Sequence, residues 1–214
     1  MIPREAYAVY LVTDDPSRYR GDFLENVEAA VAGGVTLVQY RDTESSDRGK
    51  YARALRLLAM LRARGVPLVM NNDVDLAMAV GADGVHLGQS DLPAEVMRRL
   101  VGPSMTIGLS ITCEADVATA SRPCVDYVGI GPVYDATKTK ADAAPEMGLA
   151  GFAAIRGMLA DFPAVAIGGI TPELARGIVA AGADGLAIVS AFSRAASPAE
   201  AARSFAEAFR STSP

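Results

Sequence analysis

Eight short β-rich apolar runs, each followed by enough chain for a helix, constrain this sequence more than any other feature. They fall at residues 8–12, 36–40, 67–70, 84–87, 105–109, 127–130, 164–167 and 185–189. Strands of a parallel sheet are buried on both faces and read as near-continuous apolar runs. Joining two parallel neighbours takes a crossover of about a dozen residues or more, usually a helix. The intervening stretches meet that need. Between residues 47 and 64, Tyr51, Leu55, Leu58 and Leu61 recur every three or four positions, the spacing of one helix face. Thr171-Pro172-Glu173 and Ser197-Pro198-Ala199-Glu200 each supply an N-cap residue, a proline for the first helical position and an early carboxylate.

A recurring joint supports the same organisation. Ala32-Gly33-Gly34-Val35, Val80-Gly81-Ala82-Asp83-Gly84-Val85 and Ala181-Gly182-Ala183-Asp184-Gly185-Leu186 share one form. In each, the first glycine is expected to take the left-handed cap that ends a helix before the chain enters a strand. Their spacing divides into units of about 24–25 residues, and eight such units fill the chain. The pattern predicts an α/β fold, a single-domain (β/α)8 TIM barrel over residues 1–214, with an open doubly wound sheet as the alternative.

Composition narrows the function classes. The net charge is −5, from 25 acidic and 20 basic side chains, which argues against nucleic acid as the main partner. No apolar run reaches the roughly 18–20 residues of a membrane span, and the N-terminus lacks the pattern of a signal peptide. Cys113 and Cys124 form neither a metal pattern nor a disulfide framework, so a cytoplasmic setting is expected. The sequence leaves a homo-oligomer open.

Active sites of such barrels lie at the C-terminal ends of the strands, and the residues there are polar. They include Gln39 and Arg41, Asn71, Asn72 and Asp73, Gln89 and Asp91, Ser110, and then Thr137, Lys138, Thr139 and Lys140. Gly168-Gly169, followed by a helix start, lets backbone N–H groups approach an oxyanion closely. With Val189-Ser190 it forms a candidate phosphate site; the plain alternative is a tight turn. The long loop after Gly131-Pro132 carries threonines that can donate to phosphate and lysines that can neutralise it, and its length suits a lid. Asp91 is placed either to bind Mg²⁺ or to cap the helix near Pro93. His86 reads as a structural hydrogen-bonding residue inside its strand. Asp14-Asp15 and Asp47-Arg48 read as ordinary loop charges.

The segments Val38-Gln39-Tyr40-Arg41-Asp42, Asn71-Asn72-Asp73-Val74-Asp75-Leu76-Ala77 and Gly81-Ala82-Asp83-Gly84-Val85-His86-Leu87-Gly88-Gln89-Ser90-Asp91 resemble the thiamine phosphate synthase family. So do Asp126-Tyr127-Val128-Gly129-Ile130-Gly131-Pro132-Val133, Ala166-Ile167-Gly168-Gly169-Ile170-Thr171 and Val189-Ser190-Ala191, in the family's order from about residue 8 to residue 207. The resemblance implies a transferase that joins an aminopyrimidine diphosphate to a thiazole phosphate and releases pyrophosphate. It implies that Gln39, Arg41, Asn71, Ser110 and Lys140 hold the pyrimidine diphosphate, with Arg41, Ser110 and Lys140 closest to the chemistry. Thr137, Thr139, Gly169, Val189 and Ser190 would hold the thiazole phosphate, and Asn72 and Asp91 would bind Mg²⁺. The expected partners are these small substrates, with neither nucleic acid nor membrane.

Three positions depart from the family pattern. Thr43 stands where the family usually has lysine, Asn72 where it usually has aspartate, and the threonine–lysine loop is one residue longer. Two alternatives follow: a thiazole tautomerase-like isomerase, and a non-catalytic paralogue that binds thiamine precursors.

Overall fold

The structure, a computed structural model, describes residues 1–136 and 144–211. Eight parallel strands close into a barrel in sequence order: β1 (Val9–Val12), β2 (Leu37–Tyr40), β3 (Leu68–Asn71), β4 (Gly84–Leu87), β5 (Thr106–Ile111), β6 (Tyr127–Ile130), β7 (Ala164–Ile167) and β8 (Gly185–Ile188). β8 pairs back onto β1, with Tyr10 opposite Ala187, so the sheet has no free edge. The outer ring consists of α1 (Phe23–Gly33), α2 (Asp47–Arg62), α3 (Val74–Val80), α4 (Ala94–Val101), α5 (Gly148–Met158), α6 (Pro172–Ala180), α7 (Ser190–Ser193) and α8 (Pro198–Arg210). After β5 the chain makes only a 3-10 helix, Glu114–Thr119, where the sequence had room for a full helix. No helix among the described residues is long and apolar enough to cross a membrane.

Period-two alternation sorts the strand residues into two cores. Outward residues such as Leu11, Val38, Met70, Val85, Ile107, Val128, Ala166 and Leu186 pack against the helices. Inward residues Tyr10, Val12, Leu37, Val69, Tyr127, Val165 and Ala187 fill the barrel itself. This is why the runs look apolar throughout although each has two distinct faces.

Helix α2 and the first joint differ locally from the sequence pattern. In α2 the buried face is Ala54, Leu57, Leu58 and Leu61, whereas Tyr51 and Leu55 are exposed at 41% and 40%. The expected stripe shared only two residues with the true one because Leu57 and Ala54 fit the 3.6-residue period equally well. Gly81 and Gly182 take positive φ at their joints (70° and 96°), but at the first joint Gly34 does so (120°) instead of Gly33. Gly33 stays helical because α8 crosses there. A Cβ on it would lie 2.3 Å from the Ala199 carbonyl oxygen. Ser197 caps α8 through Glu200 N, while Thr171 flanks α6 without a side-chain cap.

An aspartate standing directly before an even-numbered strand has its own task. The amides that start β3, β5 and β7 (Leu68, Ile107 and Ala164) donate to Asp83, Asp126 and Asp184 at 2.8, 2.7 and 2.9 Å. Val9 N donates likewise to Thr36 Oγ1 at 2.9 Å. Each acceptor residue returns a backbone bond to the same strand start. Four polar clamps therefore close the N-terminal end of the barrel in strand pairs, satisfying amides that the ladder leaves over.

The register of α2 is open to a direct test. Leu57→Ala should cost about 2–5 kcal/mol of unfolding free energy, whereas Leu55→Ala should stay within about 0.5 kcal/mol. Denaturant melts of both variants distinguish this register from one that buries Leu55.

Candidate active site

A cavity of about 390 Å3 opens at the C-terminal ends of the strands. Barrel closure brings Gln39 and Arg41 from the β2 end, Asn71 and Asn72 from β3, and Ser110 from β5 into its wall. Gly168 and Gly169 follow β7, and Val189 and Ser190 follow β8, in the same wall. Thr137, Thr139, Lys138 and Lys140 lie outside the described residues. Among the described residues, Arg41 is the one charged side chain in that wall, so the cavity favours anions.

Arg41 is held from several directions. Thr13 Oγ1 donates to its carbonyl and accepts from its amide, both at 2.8 Å. The loop that follows is pinned by Asp42, which accepts from Tyr40 Oη, Arg53 Nη1 and the amides of Glu44 and Ser45. The guanidinium lies 3.7 Å from Asp15. Asp14 and Asp15, expected to be loop charges, are instead fully buried (0% and 2% exposed). Ser193 Oγ donates to Asp14 at 3.1 Å, and Arg18 lies 3.6 Å from Asp14 and 3.8 Å from Asp15. The sequence hid this because two acidic residues after a strand look the same whether they face solvent or a neighbouring arginine. Asp47 does start a helix, directly after the Ser46 N-cap.

Thr43, at the position of the family's usual lysine, donates to Asp15 Oδ1 from both its amide (2.6 Å) and its hydroxyl (2.9 Å). It thus supplies no cation, and its hydroxyl is committed to Asp15.

The β7 and β8 ends have the character of an oxyanion cradle. Gly168 and Gly169 adopt φ of 102° and 60°, and a Cβ on either would come within 2.7 Å of Pro132 or Tyr134. Only glycine lets this turn fold so tightly against the segment after β6. Among the described residues, the amides of Gly169, Ser190 and Ala191 donate to no backbone carbonyl, and α7 begins at Ser190. Free amides at a helix start attract oxyanions.

The residues expected to hold Mg²⁺ come together. Asn72 takes φ 60°, a left-handed conformation that asparagine tolerates. Its amide lies 3.3 Å from Asp91 Oδ2 and 3.1 Å from the His86 carbonyl, with the nitrogen donating to both. Turning that amide over presents its oxygen beside a carboxylate and a carbonyl, an all-oxygen set of the kind a hard dication takes. The residues present therefore fit the ion, with one carboxylate in the set. Asp73, the next residue, pairs with Lys50 at 3.1 Å. Asp91 is not the cap of α4, which starts after Pro93; its carboxylate accepts from Gly88 N at 2.6 Å.

Part of this wall belongs to a set of polar residues that share no common motif in the sequence. Gln39, Tyr10, Tyr127, His86 and Ser110 are joined by hydrogen bonds of 2.7–3.0 Å. His86 bonds through both ring nitrogens, and burial pushes its imidazole down to about pKa 4. The available signal was alternation: Tyr10, Gln39, His86 and Tyr127 all occupy inward positions of their strands.

A family model described as thiamine monophosphate synthase matches residues 9–192. The chain is 47% identical over 196 residues to a thiamine-phosphate synthase from Azorhizobium caulinodans, covering 92% of each chain. It is 46% identical to one from Albidiferax ferrireducens, covering 92% of this chain and 90% of that one. Thiamine phosphate pyrophosphorylase from Pyrococcus furiosus superposes with a TM-score of 0.87 at 30% identity, covering 99% of both chains.

Burial of His86 makes stability depend on pH in a defined direction. Its pKa is 6.5 in the unfolded chain and about 4 in the fold, so between these values the unfolded state binds the extra proton. Stability from this group is present above about pH 6.5 and is lost as pH falls toward 4, by roughly 3 kcal/mol in total. Equilibrium unfolding across that range should show a flatter profile for His86→Gln; parallel profiles would remove His86 as the cause.

Proposed function

Because the chain belongs to the thiamine monophosphate synthase family, and is a transferase that forms thiamine phosphate, we propose a division of labour for its cavity. It condenses 4-amino-2-methyl-5-hydroxymethylpyrimidine diphosphate with 4-methyl-5-(2-phosphoethyl)thiazole, releasing pyrophosphate. The observation that carries the assignment is the single wall shared by Arg41, Gln39, Asn71 and Ser110 with the Gly168-Gly169 and Val189-Ser190 turns. One anion sits against the guanidinium and a second against the free amides.

In this reading Gln39, Asn71 and Ser110 hold the pyrimidine, and Arg41 with Lys140 holds its diphosphate. Gly169, Val189 and Ser190, with Thr137 and Thr139, hold the thiazole phosphate. The C–O bond to the diphosphate breaks first, its electron pair leaving with pyrophosphate, and a pyrimidine-stabilised cation remains. The thiazole nitrogen then donates its lone pair to that carbon. No side-chain nucleophile and no proton transfer is needed, so the wall acts by position and charge. Arg41 stabilises the departing charge, and the apolar inner wall of Val165, Ile167 and Ala187 keeps water from the cation. Asp91 and Asn72 would hold Mg²⁺, which when bound neutralises the pyrophosphate oxygens. The small phosphorylated substrates, together with two free thiols at Cys113 and Cys124, favour work in the cytoplasm.

Purified protein mixed with both substrates and Mg²⁺ should form thiamine phosphate and pyrophosphate in equal amounts. Tight binding without product would point to a non-catalytic paralogue. Asp91→Ala should lower kcat/KM roughly 100-fold or more; unchanged turnover would mean that Asp91 only holds the Gly88 turn. Asn72→Asp should lower the Mg²⁺ concentration for half-maximal rate, since a carboxylate replaces a neutral oxygen. No shift there removes residue 72 from the metal site.

A further inference from the structure

A file of polar side chains crosses the barrel interior and forms part of the cavity floor. Gln39 Nε2 donates to Tyr10 Oη at 2.7 Å, and Tyr10 Oη lies 2.8 Å from Tyr127 Oη. Tyr127 Oη lies 2.8 Å from His86 Nδ1, and His86 Nε2 lies 3.0 Å from Ser110 Oγ. Gln39, Tyr10, His86 and Ser110 all border the cavity, whereas Tyr127 does not and is fully buried.

The file is built into the strands. Gly108 sits opposite both His86 and Tyr127 in the sheet. A Cβ on it would lie 2.2 Å from Tyr127 Cζ and 2.4 Å from His86 Nδ1. A Cβ on Gly129 would come 3.2 Å from His86 Cε1. Glycine inside a strand weakens it, and here it makes room for one ring-to-ring contact.

Counting protons gives the file a direction. Each hydroxyl and the neutral imidazole carry one proton to donate. Tyr10 Oη accepts from Gln39, so its own proton goes to Tyr127, its remaining partner among the described residues. The Tyr127 proton then goes to His86 Nδ1, which leaves the imidazole proton on Nε2, facing Ser110. Ser110 Oγ accepts from beneath and turns its hydroxyl proton to the cavity. At the other end the Gln39 NH2 is engaged, and Oε1 has no partner among the described residues.

We propose that Gln39–Tyr10–Tyr127–His86–Ser110 is a one-way hydrogen-bond relay that fixes an acceptor at Gln39 and a donor at Ser110. Tyr10, Tyr127 and His86 are then positioning residues that select an aminopyrimidine over its oxo counterpart. This rests on the reading of this wall as the pyrimidine site. An amino group donates to Gln39 Oε1 and an unprotonated ring nitrogen accepts from Ser110. An oxo group places one acceptor against another, and matching it would require reversing every proton in the file. The file requires a neutral imidazole, because a charged one would have no proton-free nitrogen for Tyr127.

His86 is the sole histidine of the chain, so ¹⁵N-histidine NMR reads the direction of the relay without a variant. Wild-type protein should show the Nε2–H tautomer; the Nδ1–H tautomer would overturn the relay. Wild-type protein should also prefer the amino diphosphate to its oxo analogue by ~100-fold or more in kcat/KM, and equal use of both would sink the selection. Tyr127→Phe removes one hydroxyl outside the cavity wall. It should raise KM for the pyrimidine diphosphate ~10-fold, leave KM for the thiazole phosphate unchanged and narrow the amino-over-oxo preference. An equal loss toward both substrates would reduce Tyr127 to a packing residue. A wild-type protein that forms no thiamine phosphate defeats the site reading, while the histidine signal still decides the direction of the relay.

Discussion

Closure of the sheet is the constraint on which the rest of this structure depends. With β8 paired to β1, every strand end points into one mouth, and side chains far apart in sequence share a cavity. The clamps at Thr36, Asp83, Asp126 and Asp184 bind the opposite end in pairs. The mouth, by contrast, carries positive-φ glycines, an asparagine in a left-handed conformation and, among the described residues, amides without a backbone partner, features that weaken a fold wherever they stand.

The interior of such a barrel is usually filled with branched apolar side chains. Here Tyr10, Gln39, His86 and Tyr127 replace part of that filling. Buried polar groups cost free energy unless each is paired, and these four pair with one another and with Ser110. Among the described residues no buried side-chain nitrogen or oxygen lacks a partner. The result is a floor whose hydrogen-bonding pattern is set by the protein before any ligand arrives.

Electrostatics at the mouth follow a similar economy. In a chain of net charge −5 the mouth offers its positive character by local arrangement: one arginine in the described wall, the amides of the Gly168-Gly169 turn and of Ser190 and Ala191, and buried Asp15 lying behind Arg41. Thr43 joins this support by bonding Asp15. Threonine at this position braces the carboxylate behind Arg41 and adds no cation beside it.

Much of this was legible in the sequence. Eight apolar runs and repeated Gly-Ala-Asp-Gly joints determined the barrel, because strand burial and helix termination are local properties written in residue type and spacing. Polar residues directly after the runs marked the mouth for the same reason, and Gln39, Arg41, Asn71, Asn72, Ser110, Gly169, Val189 and Ser190 do meet in one wall. Tertiary structure alone decided the rest. Whether Leu55 or Leu57 faces the core depends on where β2 and β3 lie beneath α2, since both fit the helical period. Asp14 and Asp15 are buried because α7 and the β2 loop close over them, and no local pattern records that. Tyr10 and Tyr127 are 117 residues apart and become neighbours only when the strands fold around a common axis, so their shared proton is a property of the closed barrel.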